Sequence, residues 1–185
     1  MATLRAADIL ETSPVEPRAV TPPTGGRRVK HAIDRVVAGF ALLVMAPILA
    51  VIAVALWTTG SRQVVRREER IGERGRPVVL RSFAIGEERL RSRAWQMVIA
   101  SGAGALPQLW SVVRGELSLI GPRPRDAGSE PPPVRPGLTG LAQLQQFDRW
   151  LTLAEQSGLD DEYARTWCHA LDARIAWWTI VRTLR

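Results

Sequence analysis

One stretch dominates the hydrophobic pattern. From Val36 to Gly60 there are 25 residues without a charged side chain. As a straight helix this run reaches roughly 37 Å, enough for a hydrocarbon core of about 30 Å. Pro47 stands near its middle, where it removes one backbone hydrogen bond and predicts a kink or break. Each arm alone would reach about 16–20 Å, too short to cross. Arg27, Arg28, Lys30 and Arg35 precede the run, and Arg62, Arg66, Arg67, Arg70, Arg74 and Arg76 follow it. With both flanks basic, little asymmetry is left to orient a crossing. A helix that dips into the membrane at about residues 31–60 and returns, broken at Pro47, fits this pattern best. A plain span with a tolerated proline and a buried core helix are the alternatives.

Elsewhere the pattern is weaker. Residues 1–26 hold Pro14, Pro17, Pro22 and Pro23 and few large apolar side chains, which predicts a flexible tail ahead of a domain over 27–185. A secretory signal is not expected, because the long apolar run starts only after Arg35. Val78-Val79-Leu80 reads as a short strand. Pro131, Pro132 and Pro133 predict a stiff extended linker. Leu159, Tyr163, Trp167, Leu171, Ile175 and Trp178 recur every three or four residues, the period of one helical face. Asp160-Asp161-Glu162 would suit the start of that helix, and Arg182 and Arg185 its end. The expected fold is mainly α with a minor β element, a monotopic membrane domain with a Pro-broken re-entrant N-terminal helix.

Charge narrows the partners. The net charge is +7, and Lys30 is the one lysine among 25 basic residues. Such a balance favours anionic partners, lipid head groups or nucleotide phosphates. Nucleic acid is not expected, since no helix-turn-helix, zinc-finger or RNA-recognition pattern is present. Cys168 is the single cysteine and His31 and His169 are the two histidines, which excludes an intrachain disulfide and a Cys/His metal cluster. The seven tryptophans, several near arginines, suit a surface at the lipid head groups, with Trp110 expected in the core.

Two motifs carry the chemistry. The first, PQLWSVVRGELSLIGPRP, runs from Pro107 to Pro124; the second, VRPGLTGLAQ, runs from Val134 to Gln143. Both closely resemble signatures of the bacterial sugar transferases, monotopic phosphoglycosyl transferases. Lys30, Asp34 and Pro47 match the opening of that family's re-entrant helix, although Ala46 stands where Ser is usual. Arg70-Ile71-Gly72 with Gly75 resembles its Arg-x-Gly-x-x-Gly turn; a plain surface turn fits those glycines equally well. Asp160 or Asp161, with Tyr163, Trp167 and Asp172, resembles its C-terminal pattern. The likeness extends from about Lys30 to Thr183.

The resemblance implies a sugar phosphate passed from a UDP-sugar to polyprenyl phosphate at the cytoplasmic face of the cytoplasmic membrane, with Mg²⁺ and arginines neutralising the moving charge. The family nucleophile is the Asp of an Asp-Glu pair immediately before Leu-Pro-Gln. Here Gly104 and Ala105 occupy those positions, and neither has an atom capable of attack. Ile99 stands where the family has an arginine, the segment between Gly72 and Gly104 is short, and the Lys-Phe-Arg-Ser motif survives only around Arg81-Ser82-Phe83-Ala84. No catalytic residue is therefore assigned, and Mg²⁺ is doubtful. Glu116 reads as a structural or capping acid, and Glu68 and Glu69 as surface or phosphate-loop neighbours. Arg123, held between Pro122 and Pro124, and Arg135, before Pro136-Gly137, are the candidate phosphate- or nucleotide-binding residues. A salt bridge pinning the loop is the bland reading of each. Three functions stay open: a degenerate family member acting as ligand holder or partner of an active paralogue, a working transferase with another nucleophile, and a plain membrane anchor.

Overall fold

The computed structural model describes residues 24–60, 63–146 and 150–183. Most of the expected tail, together with Arg62 and Arg185, lies outside them. The fold is mainly α with a minor β element. Helix α1 (Thr24–Thr58) comes first, so residues 24–26 form its opening turn. A hairpin follows, β1 (Val65–Ile71) and β2 (Pro77–Phe83), paired antiparallel from Val65↔Phe83 to Ile71↔Pro77. Val78–Leu80 is thus the centre of a longer strand. Strand β1 was hidden from the sequence because Arg66, Arg67, Glu68 and Glu69 show no apolar alternation; all four are exposed. The Arg-x-Gly-x-x-Gly segment is the hairpin's turn, closed by a 3₁₀ turn at Glu73–Gly75.

Helix α2 (Arg93–Ala100), a 3₁₀ turn (Ala103–Gln108) and the short α3 (Leu109–Val113) lead into β3 (Ser118–Ile120). Strand β4 (Gly137–Thr139) pairs parallel with β3, Ser118 against Gly137 and Ile120 against Thr139. The two signature motifs therefore meet as one small sheet. Their glycines are there for closeness: a Cβ on Gly137 would lie 2.1 Å from the backbone nitrogen of Gly121. The proline linker ends in packed positions rather than free chain, with Pro132 and Pro136 fully buried.

Three helices close the chain, α4 (Leu141–Gln146), α5 (Leu153–Thr166) and α6 (His169–Thr183). The expected single C-terminal helix is two. Trp167 leaves helical geometry at φ −52°, ψ 127°, and its indole Nε1 donates to Asp172 Oδ2 at 3.0 Å. The face still holds, since Tyr163, Leu171 and Ile175 share one core with Leu159, Trp167 and Trp178 packed on it. Asp160-Asp161-Glu162 lie inside α5 rather than at its start. That start is capped by Thr152 and Glu155, each bonding the other's backbone N–H.

Helix α1 is long and apolar enough to cross a membrane. Pro47 lies within it and the helix continues on both sides, while the missing proline N–H deprives the Leu43 carbonyl of its usual donor. One stripe, Ala38, Ile52 and Leu56, is buried against the hairpin and α3. The rest is open: Phe40, Leu43, Val51 and Trp57 are each about 70% exposed. Both ends of α1 return to the same body. Near its start, Lys30 Nζ reaches Asp172 Oδ2 at 2.6 Å. Beyond its end, Arg89 Nη2 caps the Thr59 carbonyl at 3.1 Å.

Candidate functional site

The residues that match the helix opening and the C-terminal pattern form a buried knot. Lys30 pairs with Asp172 and stands 3.7 Å from Asp34, which accepts from Ser118 Oγ. Tyr163 donates its hydroxyl to Asp172 Oδ1 at 2.7 Å and is pushed well above its ordinary pKa, first by burial and then by Asp172. Lys30 is the one cation beside the carboxylates of Asp34 and Asp172, and neutral donors from Ser118, Tyr163 and Trp167 complete their bonding, so the knot ties α1 to α5 and α6 and offers a ligand little.

An open cleft of about 580 Å³ lies elsewhere. Its walls come from the hairpin (Arg70, Leu80), Gln108 of the 3₁₀ turn, the loop after β3 (Arg123–Asp126), Gln143 of α4, and Gln156 and Asp160 of α5. Three arginines face it. Arg70 is occupied by Glu68 and Asp126. Arg125 holds Asp161 Oδ1 at 2.8 Å and the Glu130 carbonyl at 3.1 Å. Arg123 differs: its Nη1 donates to Gln156 Oε1, but its Nε and Nη2 are buried with no partner. Gln143 Oε1 and Asp160 Oδ1 are buried and unpartnered too. Polar atoms left unpaired cost about 1–3 kcal/mol each, more when charged, so the group marks a place where a ligand or water completes the bonding. Asp160 is raised to a pKa of about 6 by burial, against the Arg123 backbone N–H and the charges of Arg123 and Arg125.

Arg135 is not brought to this cleft. It lines a cavity of about 20 Å³, room for one water, with Arg27, Lys30, His31 and Glu73. Burial lowers its pKa from the ordinary value and the charge of Glu73 opposes the shift. Arg135 and Arg123 therefore line different cavities.

Gly104 and Ala105 lie in the 3₁₀ turn between this cleft and a second, apolar groove of about 470 Å³. Pro47, Ile48, Val51 and Ile52 form one side of the groove, and Met97, Val98, Ser101 and Ala103 the other. Ala103 thus faces the groove while Gln108 faces the cleft, with Gly104 and Ala105 between them. A Cβ on Gly104 would meet only Ile85 Cδ1, at an ordinary 3.8 Å. The backbone has room for a side chain there, and none is present to react.

Glu116 stands as the structural acid expected. It holds Arg81 Nη1 at 3.2 Å and Arg114 Nε at 2.8 Å, while Arg81 also donates to Ser111 Oγ at 2.6 Å. Trp110, expected in the core, is half exposed, because α3 buries Leu109, Ser111 and Val112 instead. Trp57, Trp150 and Trp177 are open as well. The acids of the cleft are Asp126, already on Arg70, and Asp160, beside Arg123 and Arg125; a Mg²⁺ there would take most of its oxygens from substrate phosphate and water rather than from the protein. Among the described residues no group of three His, Cys, Asp or Glu is placed to hold a metal.

Residues 25–94 and 104–185 match the bacterial sugar transferase family. The chain belongs to that family. The match pauses over 95–103, most of α2 and its exit, and resumes at Gly104. This family member is 28% identical over 200 residues to the UDP-glucose:undecaprenyl-phosphate glucose-1-phosphate transferase of Klebsiella pneumoniae, across 91% of the chain and 43% of that protein. It is 30% identical over 189 residues to the undecaprenyl-phosphate glucose phosphotransferase of Komagataeibacter xylinus, across 84% and 36%. To the exopolysaccharide production protein ExoY of Rhizobium meliloti it is 29% identical over 196 residues, across 85% and 86%. The chain spans less than half the length of the first two.

Sequence reasoning singled out Arg123, which lines the cleft, but not Gln143 or Gln156, and left Asp160 and Asp161 undecided. Gln143 ends the second motif, a signal that was present but carried no chemistry of its own. Asp160 and Asp161 are separable only by burial, 5% exposed for Asp160 against an exposed Asp161.

Proposed function

We propose that this sugar transferase family member holds a phosphate-bearing ligand on Arg123 at the cytoplasmic face of the membrane without forming the covalent sugar-phosphate intermediate. Its setting is exopolysaccharide or related glycoconjugate synthesis. One observation carries the reading: a buried guanidinium edge with no partner lies in a cleft beside a turn that has no nucleophile. Nε and Nη2 of one arginine suit two phosphate oxygens. Displacement at phosphorus needs an attacking group as well, and losing a nucleophile can cost a factor on the order of a million in turnover. By likeness to the named relatives, the ligand is a UDP-sugar or undecaprenyl phosphate; the turn without a nucleophile, not the likeness, is the reason to make an active paralogue the partner to which it passes. No step is assigned to a metal.

The membrane setting is re-entrant rather than spanning. Both ends of α1 return to one body while its outer face stays apolar, so lipid covers one side and the two basic flanks remain in the cytoplasm.

A second reading has one observation in its favour. Asp160 places a buried carboxyl in the same cleft, and a working enzyme could use it in place of the dyad. The test is UMP release from a panel of UDP-sugars by membranes holding the chain, with Mg²⁺ and polyprenyl phosphate, beside thermal shifts with uridine nucleotides and polyprenyl phosphate. The expected result is no release above empty membranes and a shift with at least one ligand. Release that disappears in Asp160→Ala would establish the second reading. Silence in both measurements would leave a plain membrane anchor.

A further inference from the structure

The Arg123 cleft holds acceptors as well as donors, and this second half says what else the ligand must carry. We propose that Asp160 and Gln143 are specificity residues that accept hydrogen bonds from hydroxyl or N–H groups of a ligand whose phosphate lies on Arg123. The inference rests on the phosphate-holding reading above and adds which end of the ligand is read, and by what.

Asp160 and Arg123 are both directed at the cleft, yet no ion pair joins their side chains among the described residues. Each keeps buried atoms unpartnered, Nε and Nη2 on one side and Oδ1 on the other, with Gln143 Oε1 as a third point. The Asp160 carboxyl accepts from the Arg123 backbone N–H rather than from its guanidinium, which leaves both sets of unpartnered atoms for a group that bonds to both. A fully ionised phosphate monoester with no other polar group satisfies only the arginine, because its oxygens are acceptors and so are Asp160 Oδ1 and Gln143 Oε1. A phosphate ester with donors, such as a sugar phosphate or a nucleotide, satisfies all three points. A lipid phosphate whose alcohol is pure hydrocarbon brings no donor and leaves two buried acceptors unpaired. Sites with such acceptors reject ligands that lack the matching donor. The other acid of the cleft cannot do the same work, since Asp126 is on Arg70.

The experiment titrates the detergent-solubilised full chain with methyl phosphate, which carries no donor beyond its phosphate, and with glucose 1-phosphate and UMP. The native chain should bind at least one donor-bearing ligand about tenfold or more tighter than methyl phosphate. Asp160→Ala and Gln143→Met should each lose about tenfold for that ligand and less than twofold for methyl phosphate. Asp160→Asn, which keeps an acceptor oxygen and the packing volume, should lose less than Asp160→Ala. Whether glucose 1-phosphate or UMP responds tells a sugar hydroxyl from a nucleoside donor. Equal binding of all three by the native chain, or equal losses for all three in the variants, overturns the inference while leaving Arg123 as a phosphate residue. Unchanged binding in Arg123→Met overturns the phosphate reading instead. Failure of the native chain to bind any of them overturns both.

Discussion

Asp160 links the site to folding. Its carboxyl titrates at about 6 rather than 3.8 because burial penalises the charge more than Arg123 and Arg125 relieve it. The folded chain therefore holds this proton more tightly than the unfolded chain does. Stability from this group is full below the unfolded value and is lost as pH rises from about 4 through about 6. A displacement of that size corresponds to about 3 kcal/mol. Asp160→Asn should leave the unfolding midpoint nearly unchanged at pH 4 and raise it at pH 8, read by thermal unfolding in detergent; equal effects at both pH values would refute the buried carboxyl. Lys30 presents the opposite case, a buried charge that is well used. Lys30→Ala removes the cation from Asp172 and should cost about 3–5 kcal/mol at neutral pH, although the donors of Tyr163 and Trp167 remain. A loss below about 1 kcal/mol, the range of an exposed pair, would mean that the knot is dispensable. Lys30, Asp34, Tyr163, Trp167 and Asp172 were all legible as matches in the sequence, but not their common purpose. Spacing along a chain cannot report that residues 142 positions apart share one buried proton network.

At the scale of elements, legibility followed periodicity. The apolar run and the C-terminal face were plain, because hydropathy and a 3.6-residue repeat both register burial. The division of the C-terminal helix at Trp167 was not, since the apolar repeat passes through it undisturbed and the break is made by a tertiary bond to Asp172. Strand β1 was invisible for the converse reason: its stability comes from ladder bonds to β2, not from a buried face. Helix α1 carries the element-scale prediction. With Pro47 in place, cysteines put at positions 32 and 63 should both be labelled from the cytoplasm only. Pro47→Ala restores the missing backbone bond and removes the ring clash, an effect of about 3 kcal/mol in a helix interior. The straighter helix should then carry one flank across, so that position 63 becomes reachable from outside. Outside labelling of the native chain would mean a true span.

Across the whole molecule, the arrangement of two cavities about one turn has the largest consequence. An apolar groove that opens beside Pro47 and a polar cleft under Arg123 flank the 3₁₀ turn at Ala103–Gln108. Neither cavity could be drawn from the sequence, because each takes its walls from segments far apart in the chain. What was legible was the turn's composition and its lack of an acid. The fold around it is in place: the two signature motifs are joined at Gly121 and Gly137, Arg123 keeps two free donors, and Gly104 has space for a side chain. Gly104→Asp together with Ala105→Glu should therefore gain UMP release over the native chain and acquire a radiolabel from a β-³²P UDP-sugar that survives denaturation. The single substitution Gly104→Asp should do the same more weakly, since the introduced carboxylate is the group that attacks and the neighbouring acid only assists. Turnover should stay low, because Ile99, half exposed on α2, lies in the stretch that the family match omits. Release without a covalent label would point to hydrolysis by water in the cleft. Neither release nor label would locate the decay beyond the dyad, in the 95–103 segment where the family match is interrupted.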